Sequence, residues 1–453
     1  MGLHEECGIF GIYDADGNCA RKAYYGLYAL QHRGQEDCGI AAINNLELSC
    51  HKGMGLVGEV FSEEILAKLN GTMAAGHVRY ATASGALREN TQPLTLTYVK
   101  GSLAVAHNGC ILNNDELKRE YEYRGAVFHT TTDCEIIAYM IAQARLHTTS
   151  AEEAVNQAMK RLKGAFSLVV MSSRKLIAAR DPWGFRPLCI GRKGDAIIFA
   201  SESCALDSVD ATFMRDVEPG EVVWVDGGVL HSNRENCADK MSLCIFELLY
   251  FARPDSIIDG QSVYGARIAA GRLLALEHPI DADVVIGVPD SGLVAAKGYS
   301  LATGIPYSDG FVKNRYIGRT FIAQKQAARE EAVKIKLNPL RETVSGKRVV
   351  MVDDSVVRGT TTKPIVRLLR NAGAKEIHLL ISSPKFINPC YFGTDIPSKD
   401  ELFACNHSTE EMRDITGADS LGFLSLESLK GIATDSKCGF CDACFSGNYP
   451  VSH

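Results

Sequence analysis

Apolar residues are arranged in two ways along this chain, and each arrangement predicts a different half of the molecule. Val349 to Val352 form an unbroken apolar run that stops at two adjacent carboxylates, Asp353 and Asp354. A run without alternation predicts a strand buried on both faces of a parallel sheet. After a loop rich in Ser, Gly and Thr, residues 362–371 predict a helix, with Pro364 tolerated in its first turn and Gly373 able to end it. Residues 375–382 predict a second strand, which completes a β-loop-α-β unit. Upstream, the helical segment 266–277 precedes a second buried strand beginning at Asp283, which ends in the tight loop Pro289-Asp-Ser-Gly292.

The first half is patterned differently. Cys7-Gly-Ile-Phe-Gly-Ile12 predicts a strand with alternating side chains, and residues 23–30 predict a helix. Thr130-Thr-Thr-Asp-Cys-Glu135 opens another helix that runs through residues 138–144. Residues 164–225 predict short apolar strands punctuated by turns at Asp181-Pro-Trp-Gly184 and Glu218-Pro-Gly220, as in a sandwich of sheets and helices. The polar run 231–240 reads as a linker, with a second domain beginning near Ser242. Gly53-Met-Gly-Leu-Val-Gly58 matches a dinucleotide fingerprint, but the next helix begins only at Ser62-Glu-Glu and no βαβ unit with an acidic ribose ligand follows. It reads as a turn.

Composition narrows the function classes. A length of 453 residues with 46% hydrophobic content predicts two or three domains. The net charge of -6, without a basic run, argues against a nucleic-acid partner. No apolar stretch reaches membrane-spanning length, and the polar, acidic leader 1–6 is not a secretory signal. Fifteen irregularly spaced cysteines suggest a reducing cytoplasm, with thiols kept for packing, metal or catalysis.

Cys7 is a candidate nucleophile. Cleavage of the leader 1–6 would free its α-amine, which titrates at about 7.7–8.0 in model peptides and suits a general base. Four motifs follow it: Leu30-Gln-His-Arg-Gly-Gln-Glu-Asp37, Gly76-His-Val-Arg-Tyr-Ala-Thr82, Ala106-His-Asn-Gly109 and the segment around Asp133. In that order they resemble the class II glutamine amidotransferases, a branch of the N-terminal nucleophile hydrolases. The resemblance implies that Arg79 grips the α-carboxylate of glutamine bidentately and Asp133 pairs its α-ammonium. Asn108 and the Gly109 amide are then the donors to the oxyanion formed when the Cys7 thiolate attacks the side-chain amide. Cys110 stands where that family commonly has a polar residue, and His77 and His107 are expected to be structural.

The carboxylate pair and the loop after it form the second chemical centre. A loop at the carboxyl end of a strand and at a helix N-terminus attracts phosphate, while two acids suit a ribose diol and Mg²⁺. This stretch resembles the ribose-phosphate signature of type I phosphoribosyltransferases, which bind phosphoribosyl pyrophosphate (PRPP). The implied PRPP-binding residues are Asp290, Ser291, Gly292, Asp353, Asp354, Ser355, Arg358, Gly359, Thr360 and Thr361, with Mg²⁺ at Ser291, Asp353 and Asp354. Lys313-Asn-Arg-Tyr-Ile-Gly-Arg-Thr-Phe-Ile322, with Gln326 and Arg329, suits a lid over pyrophosphate. Gln324, where that family usually has proline, and Lys325 depart from its pattern.

Joined in one chain, the two halves resemble the glutamine–PRPP amidotransferases, of the cluster-bearing, propeptide-containing type. The expected fold is α/β: a nucleophile-hydrolase αββα sandwich over 7–231 and an α/β phosphoribosyltransferase domain with a parallel sheet over 242–430. A propeptide, 1–6, and a Cys-rich segment, 431–453, complete the chain. The implied reaction passes ammonia from glutamine to PRPP, giving 5-phosphoribosylamine, glutamate and pyrophosphate at the committed step of purine synthesis. Cys438-Gly-Phe-Cys-Asp-Ala-Cys444 is a strong metal signal by itself, three thiolates in one loop needing a fourth ligand from elsewhere. The family implies a 4Fe–4S cluster on Cys244, Cys390, Cys441 and Cys444, with Cys438 as a neighbour and zinc on the same thiolates as the alternative metal. Cys19, Cys50, Cys189 and Cys204 read as core thiols. The family further implies a cytoplasmic homo-oligomer, a tetramer or dimer, inhibited by purine nucleotides. Two rival functions are a PRPP-binding regulator without catalysis and another glutamine amidotransferase, such as a glucosamine-phosphate synthase. The Cys7 motifs oppose the first, and the Asp353 loop opposes the second.

Overall fold

The computed structural model describes residues 7–80, 87–237, 241–314, 335–394, 396, 398–437 and 439–452. The leader, Thr82, most of the expected lid and Cys438 lie outside the described residues.

Gly8–Tyr13 shows how the first half is layered. Phe10 and Ile12 face outward, onto Ala20, Ala23 and Leu27 of the Cys19–Ala29 helix. Ile9 faces inward, onto Ala104, Ala106 and Val169 of a second sheet. Period-two alternation thus supplies two cores from one strand. The strand is central in a seven-stranded antiparallel sheet, between Met73–Arg79 and Ala196–Ala200. The second sheet has six antiparallel strands, with Gly101–Ile111 paired to Gly164–Ser172. Its outer face carries the Asp133–Ala144 and Ala151–Met159 helices, whose Ile136, Met140 and Val155 pack on Val105 and Leu168. Helix, sheet, sheet and helix are stacked in the expected αββα order.

The polar segment read as a linker begins inside a strand. Val229–Asn233 pairs with Val222–Asp226, and Glu235 accepts from Asn156 Nδ2 at 2.9 Å. An edge strand exposes much of both faces, so its sequence is polar although its backbone is paired. The dinucleotide-like run also resolves differently in detail from a turn. Gly53 lies within the Glu47–Met54 strand and a one-turn helix, Val57–Val60, follows before Ser62 caps Glu63–Lys68. That strand is antiparallel to its neighbour, Asp37–Asn44, so no βαβ unit forms there.

In the second half a four-stranded parallel sheet runs in the order Val284–Gly287, Arg348–Asp353, Glu376–Ile381, Ser420–Phe423. Val350 and Val352 pack toward the Val263–Glu277 and Gly292–Thr303 helices, through Ala270, Leu274 and Tyr299. Val349 and Met351 pack on the opposite side, with Ile365 and Leu369 of the Thr362–Asn371 helix. All four are fully buried, each contributing roughly 2 kcal/mol of transfer free energy. This two-sided burial accounts for the unbroken apolar run. No helix among the described residues is long and apolar enough to cross a membrane.

Candidate active site

Cys7 sits immediately before the Gly8–Tyr13 strand and is half-buried. Pairing of Gly8 with Val78 sets it across from Arg79, and its Sγ lies 3.5 Å from the Tyr80 amide. Arg79 is buried, and its Nε donates to Asp37 Oδ2 at 2.5 Å from the neighbouring strand. Burial pushes the Asp37 carboxyl up, and the Arg79 guanidinium pulls it back.

Asn108 belongs to the second sheet. Two-residue spacing from Ala104 and Ala106 turns it toward the first sheet, onto the face that Cys7 shares with Ile9 and Arg79 with His77. His77 spans the gap, its Nε2 3.0 Å from the His107 carbonyl. Burial drops the His77 pKa to about 3, so the ring is neutral and donates this bond. The Asn108 side chain is fully buried, yet neither its Nδ2 nor its Oδ1 has a hydrogen-bond partner among the described residues. A buried primary amide left unpaired costs about 1–3 kcal/mol, so its persistence points to a ligand. Gly109 has φ +139°, and a Cβ there would stand 2.0 Å from the Ala165 carbonyl oxygen. Gly109→Ala is expected to lower stability by about 3 kcal/mol or more, visible as a fall in thermal midpoint with loss of glutamine hydrolysis.

Asp133 opens the helix on the other side of the same strand, behind the N-cap Thr132. It accepts from the Ile111 amide at 3.0 Å and lies 3.1 Å from His107 Nδ1. Burial alone would raise its carboxyl, but His107 and the Ile111 amide outweigh it and hold the group below its ordinary value. The carboxylate is therefore charged at neutral pH.

In the second half, the Pro289-Asp-Ser-Gly292 loop presses against the end of the central strand. A Cβ on Gly292 would lie 2.4 Å from the Val352 oxygen, so glycine permits the approach. Ser291 Oγ donates to Asp354 Oδ1 at 2.5 Å, Ser355 donates to the other oxygen, and the Asp354 amide donates to Asp353 Oδ1 at 2.9 Å. Both carboxyls are nearly buried, and the one cation that pulls on the pair among the described residues is Arg267, acting weakly on Asp354. Burial, then the neighbouring Asp354 charge, lifts Asp353 well above the usual range; burial also lifts Asp354, against the pull of Ser291 and Ser355. Asp290 is paired with Lys313. Arg358 Nε donates to Glu401 Oε2 at 2.7 Å, and Gly359 turns at φ +69° beside Phe403. The loop continues through Thr360 to Thr361, whose side chain makes no cap bond to the Thr362–Asn371 helix. The amide end of that helix is thus directed at the loop.

A family model described as a glutamine amidotransferase domain matches residues 77–208, and one described as a phosphoribosyl transferase domain matches 265–385. The amidophosphoribosyltransferase of Methanocaldococcus jannaschii is 49% identical over 461 residues, covering 98% of each chain. That of Bacillus subtilis is 50% identical, covering 99% of this chain and 95% of its own. A solved B. subtilis glutamine PRPP amidotransferase, complexed with ADP and GMP, superposes with a TM-score of 0.91 at 48% identity over 98% of both chains. The chain belongs to the amidophosphoribosyltransferase family. It is a glutamine-dependent pentosyltransferase: glutamine is hydrolysed and its nitrogen passes to PRPP, giving 5-phosphoribosylamine, glutamate and pyrophosphate at the committed step of purine synthesis.

A further feature of this family member is a cavity lined by Cys244, Cys390, Cys441 and Cys444, walled by Phe185, Phe246, Phe386 and Phe392. Pairing of Leu243–Cys244 with Phe440–Cys441 brings distant segments together there. The Phe392 amide donates to Cys390 Sγ at 3.4 Å. Burial, then Cys390, Cys244 and Cys441, pushes the Cys444 thiol well up, and burial pushes Cys441 to about 12. Among the described residues, no three His, Cys, Asp or Glu converge as on one metal ion. Of the core thiols, Cys19, Cys189 and Cys204 are buried and Cys50 is half-buried.

The motifs name Arg79 and Asp133 but not the groups that hold them in place. Asp37 orients Arg79, and His107 orients Asp133. The available signal was alternation, which turns His107 to the face opposite Asn108.

Proposed function

We propose that Cys7 is the nucleophile of glutamine hydrolysis, with Arg79 and Asp133 holding the amino-acid end and Asn108 with Gly109 receiving the oxyanion. The unpartnered Asn108 amide, facing the sheet that carries Cys7, is the observation that carries this reading. The Cys7 thiolate adds to the side-chain carbonyl carbon. Asn108 Nδ2 and the Gly109 N–H stabilise the resulting oxyanion, and the C–N bond breaks as the nitrogen takes a proton from the Cys7 α-ammonium. Water then cleaves the thioester to glutamate and regenerates the thiol. Removal of the leader 1–6 frees that amine, so intact mass spectrometry of active enzyme is expected to show a chain beginning at Cys7. A fully active species that retains Met1 would overturn this point.

Ammonia meets PRPP in the second half. The loops 290–292 and 353–361 bind the pyrophosphate and ribose phosphate, and nitrogen bonds to the anomeric carbon as pyrophosphate leaves. The paired acids Asp353 and Asp354, raised by burial and with only the more distant pull of Arg267 on Asp354 to offset it, suit a divalent ion. Mg²⁺ held there with Ser291 would neutralise the departing pyrophosphate. The division into 7–231, 242–430 and 431–453 fits this separation of chemistry, with the first part extended to Asn233 by strand pairing.

Cys244, Cys390, Cys441 and Cys444 would hold a 4Fe–4S cluster. Four thiols lining an apolar cavity suit a thiolate-bound 4Fe–4S group, with zinc on the same thiolates as the alternative. Anaerobically purified protein is expected to be brown and to contain iron and acid-labile sulfide. Cys390→Ser, Cys441→Ser or Cys444→Ser is expected to bleach it, whereas stoichiometric zinc without sulfide would exclude the cluster. The enzyme is further proposed to be a cytoplasmic homo-oligomer, a tetramer or dimer, inhibited by purine nucleotides. The ADP and GMP bound to the B. subtilis protein support nucleotide regulation. Inhibition of PRPP turnover by AMP or GMP, with sedimentation of the enzyme alongside, tests both points.

A further inference from the structure

Arg33 is fully buried, and its charge is balanced from both halves of the molecule. Its Nε donates to Glu202, in the amidotransferase half, and its Nη2 to Glu247, in the phosphoribosyltransferase half. Glu247 is also fully buried and meets a second arginine, with Arg186 Nη1 3.4 Å from its other oxygen. Arg186 in turn donates through Nη2 to the Phe392 carbonyl at 2.6 Å.

Arg33 packs against the strand that follows Cys7. Its Cδ lies 3.5 Å from the position a Cβ would occupy on Gly8, the residue after Cys7. The next residue, Gly34, packs so tightly that a Cβ would fall 2.5–2.8 Å from the main chain of Arg79. The Arg33-Gly34 turn therefore touches both the residue behind the nucleophile and the backbone of the proposed carboxylate-binding arginine. Close-packed contacts of this kind transmit displacement instead of absorbing it.

We infer that Glu247 is a positioning residue for glutamine hydrolysis: from the phosphoribosyltransferase half, it fixes Arg33 and through it Cys7 and Arg79. The inference rests on the reading of Cys7 and Arg79 as glutamine-site residues. A neutral amide at position 247 leaves two buried guanidiniums with one carboxylate fewer and one acceptor oxygen between them, so Glu202 is the one anion still paired with Arg33 among the described residues. The stem of Arg33 then shifts against Gly8, and Gly34 against Arg79. Ammonia supplied from solution bypasses these groups.

The test is Glu247→Gln in the full chain, with glutamine-dependent and ammonia-dependent synthesis of phosphoribosylamine measured on the same preparation. Their ratio cancels the fraction of folded enzyme, which a merely structural role would change without moving the ratio. The expected result is a fall of about a hundredfold in kcat/KM for glutamine, with the ammonia-dependent rate near that of the parent. If Glu247→Gln yields no folded protein, Glu247→Asp, which keeps the charge but withdraws it by one carbon, is expected to lower the same ratio by a smaller factor. An unchanged ratio in the folded variant, or an equal loss of both activities, would overturn the inference. Glutamine use by a Cys7→Ala chain would strike the underlying reading instead, so the two failures are distinguishable.

Discussion

Cys7→Ala is expected to abolish glutamine-dependent synthesis of phosphoribosylamine, by roughly a thousandfold or more, while ammonia-dependent synthesis persists. The variant deletes the thiol beside Tyr80 but leaves Ser291, Asp353 and Asp354 untouched at the end of the parallel sheet in the other half. Unprotonated ammonia at alkaline pH still reaches the anomeric carbon. The gene is best built to begin at the substituted residue, so that a retained leader does not confuse the result. Measurement of pyrophosphate release with each nitrogen source reads the outcome directly. Undiminished glutamine use by the folded variant would remove Cys7 from the mechanism.

Asp353→Asn combined with Asp354→Asn is expected to do the reverse damage. Both nitrogen sources fail, with PRPP turnover down on the order of a hundredfold or more, because the ribose and Mg²⁺ site loses both charges. Stability is expected to move the other way. Burial lifts both carboxyls above their unfolded values, so the ionised pair opposes folding. The sign follows: their favourable, protonated contribution is complete below the unfolded value of 3.8 and is lost as pH rises through the higher folded values. At neutral pH the double variant is therefore expected to melt at or above the parent temperature. Added Mg²⁺ is expected to raise the melting point of the parent and not of the variant. A folded double variant with normal turnover would exclude these carboxylates from the PRPP site.

Much of the architecture was written in local patterns. The apolar run 349–352 announced a doubly covered parallel strand, because both its faces meet helices and no polar side chain has a place to go. The Thr362–Asn371 helix follows the limits set by Pro364 and Gly373. The Asp353–Asp354 pair and the Ser291 loop were also legible, since a strand end followed by small residues and a helix is a local arrangement. The polar segment from 231 misled, because an edge strand and a linker have similar compositions while only pairing separates them.

What tertiary structure alone decided is who stands beside whom. Cys7, Arg79 and Asn108 are recognisable one at a time, but register and the stacking of two sheets bring them to one interior. The isolation of the Asn108 amide is a property of its surroundings and leaves no trace in the motif. Four cysteines from three separated stretches meet around one cavity only because Cys244 pairs with Cys441 across the sequence. Arg33 and Glu247 meet only in the closed core between the halves. The sequence determines each residue's chemistry and its local conformation, because those depend on near neighbours. Burial, register and long-range charge pairing depend on groups hundreds of positions away, and folding alone assembles them.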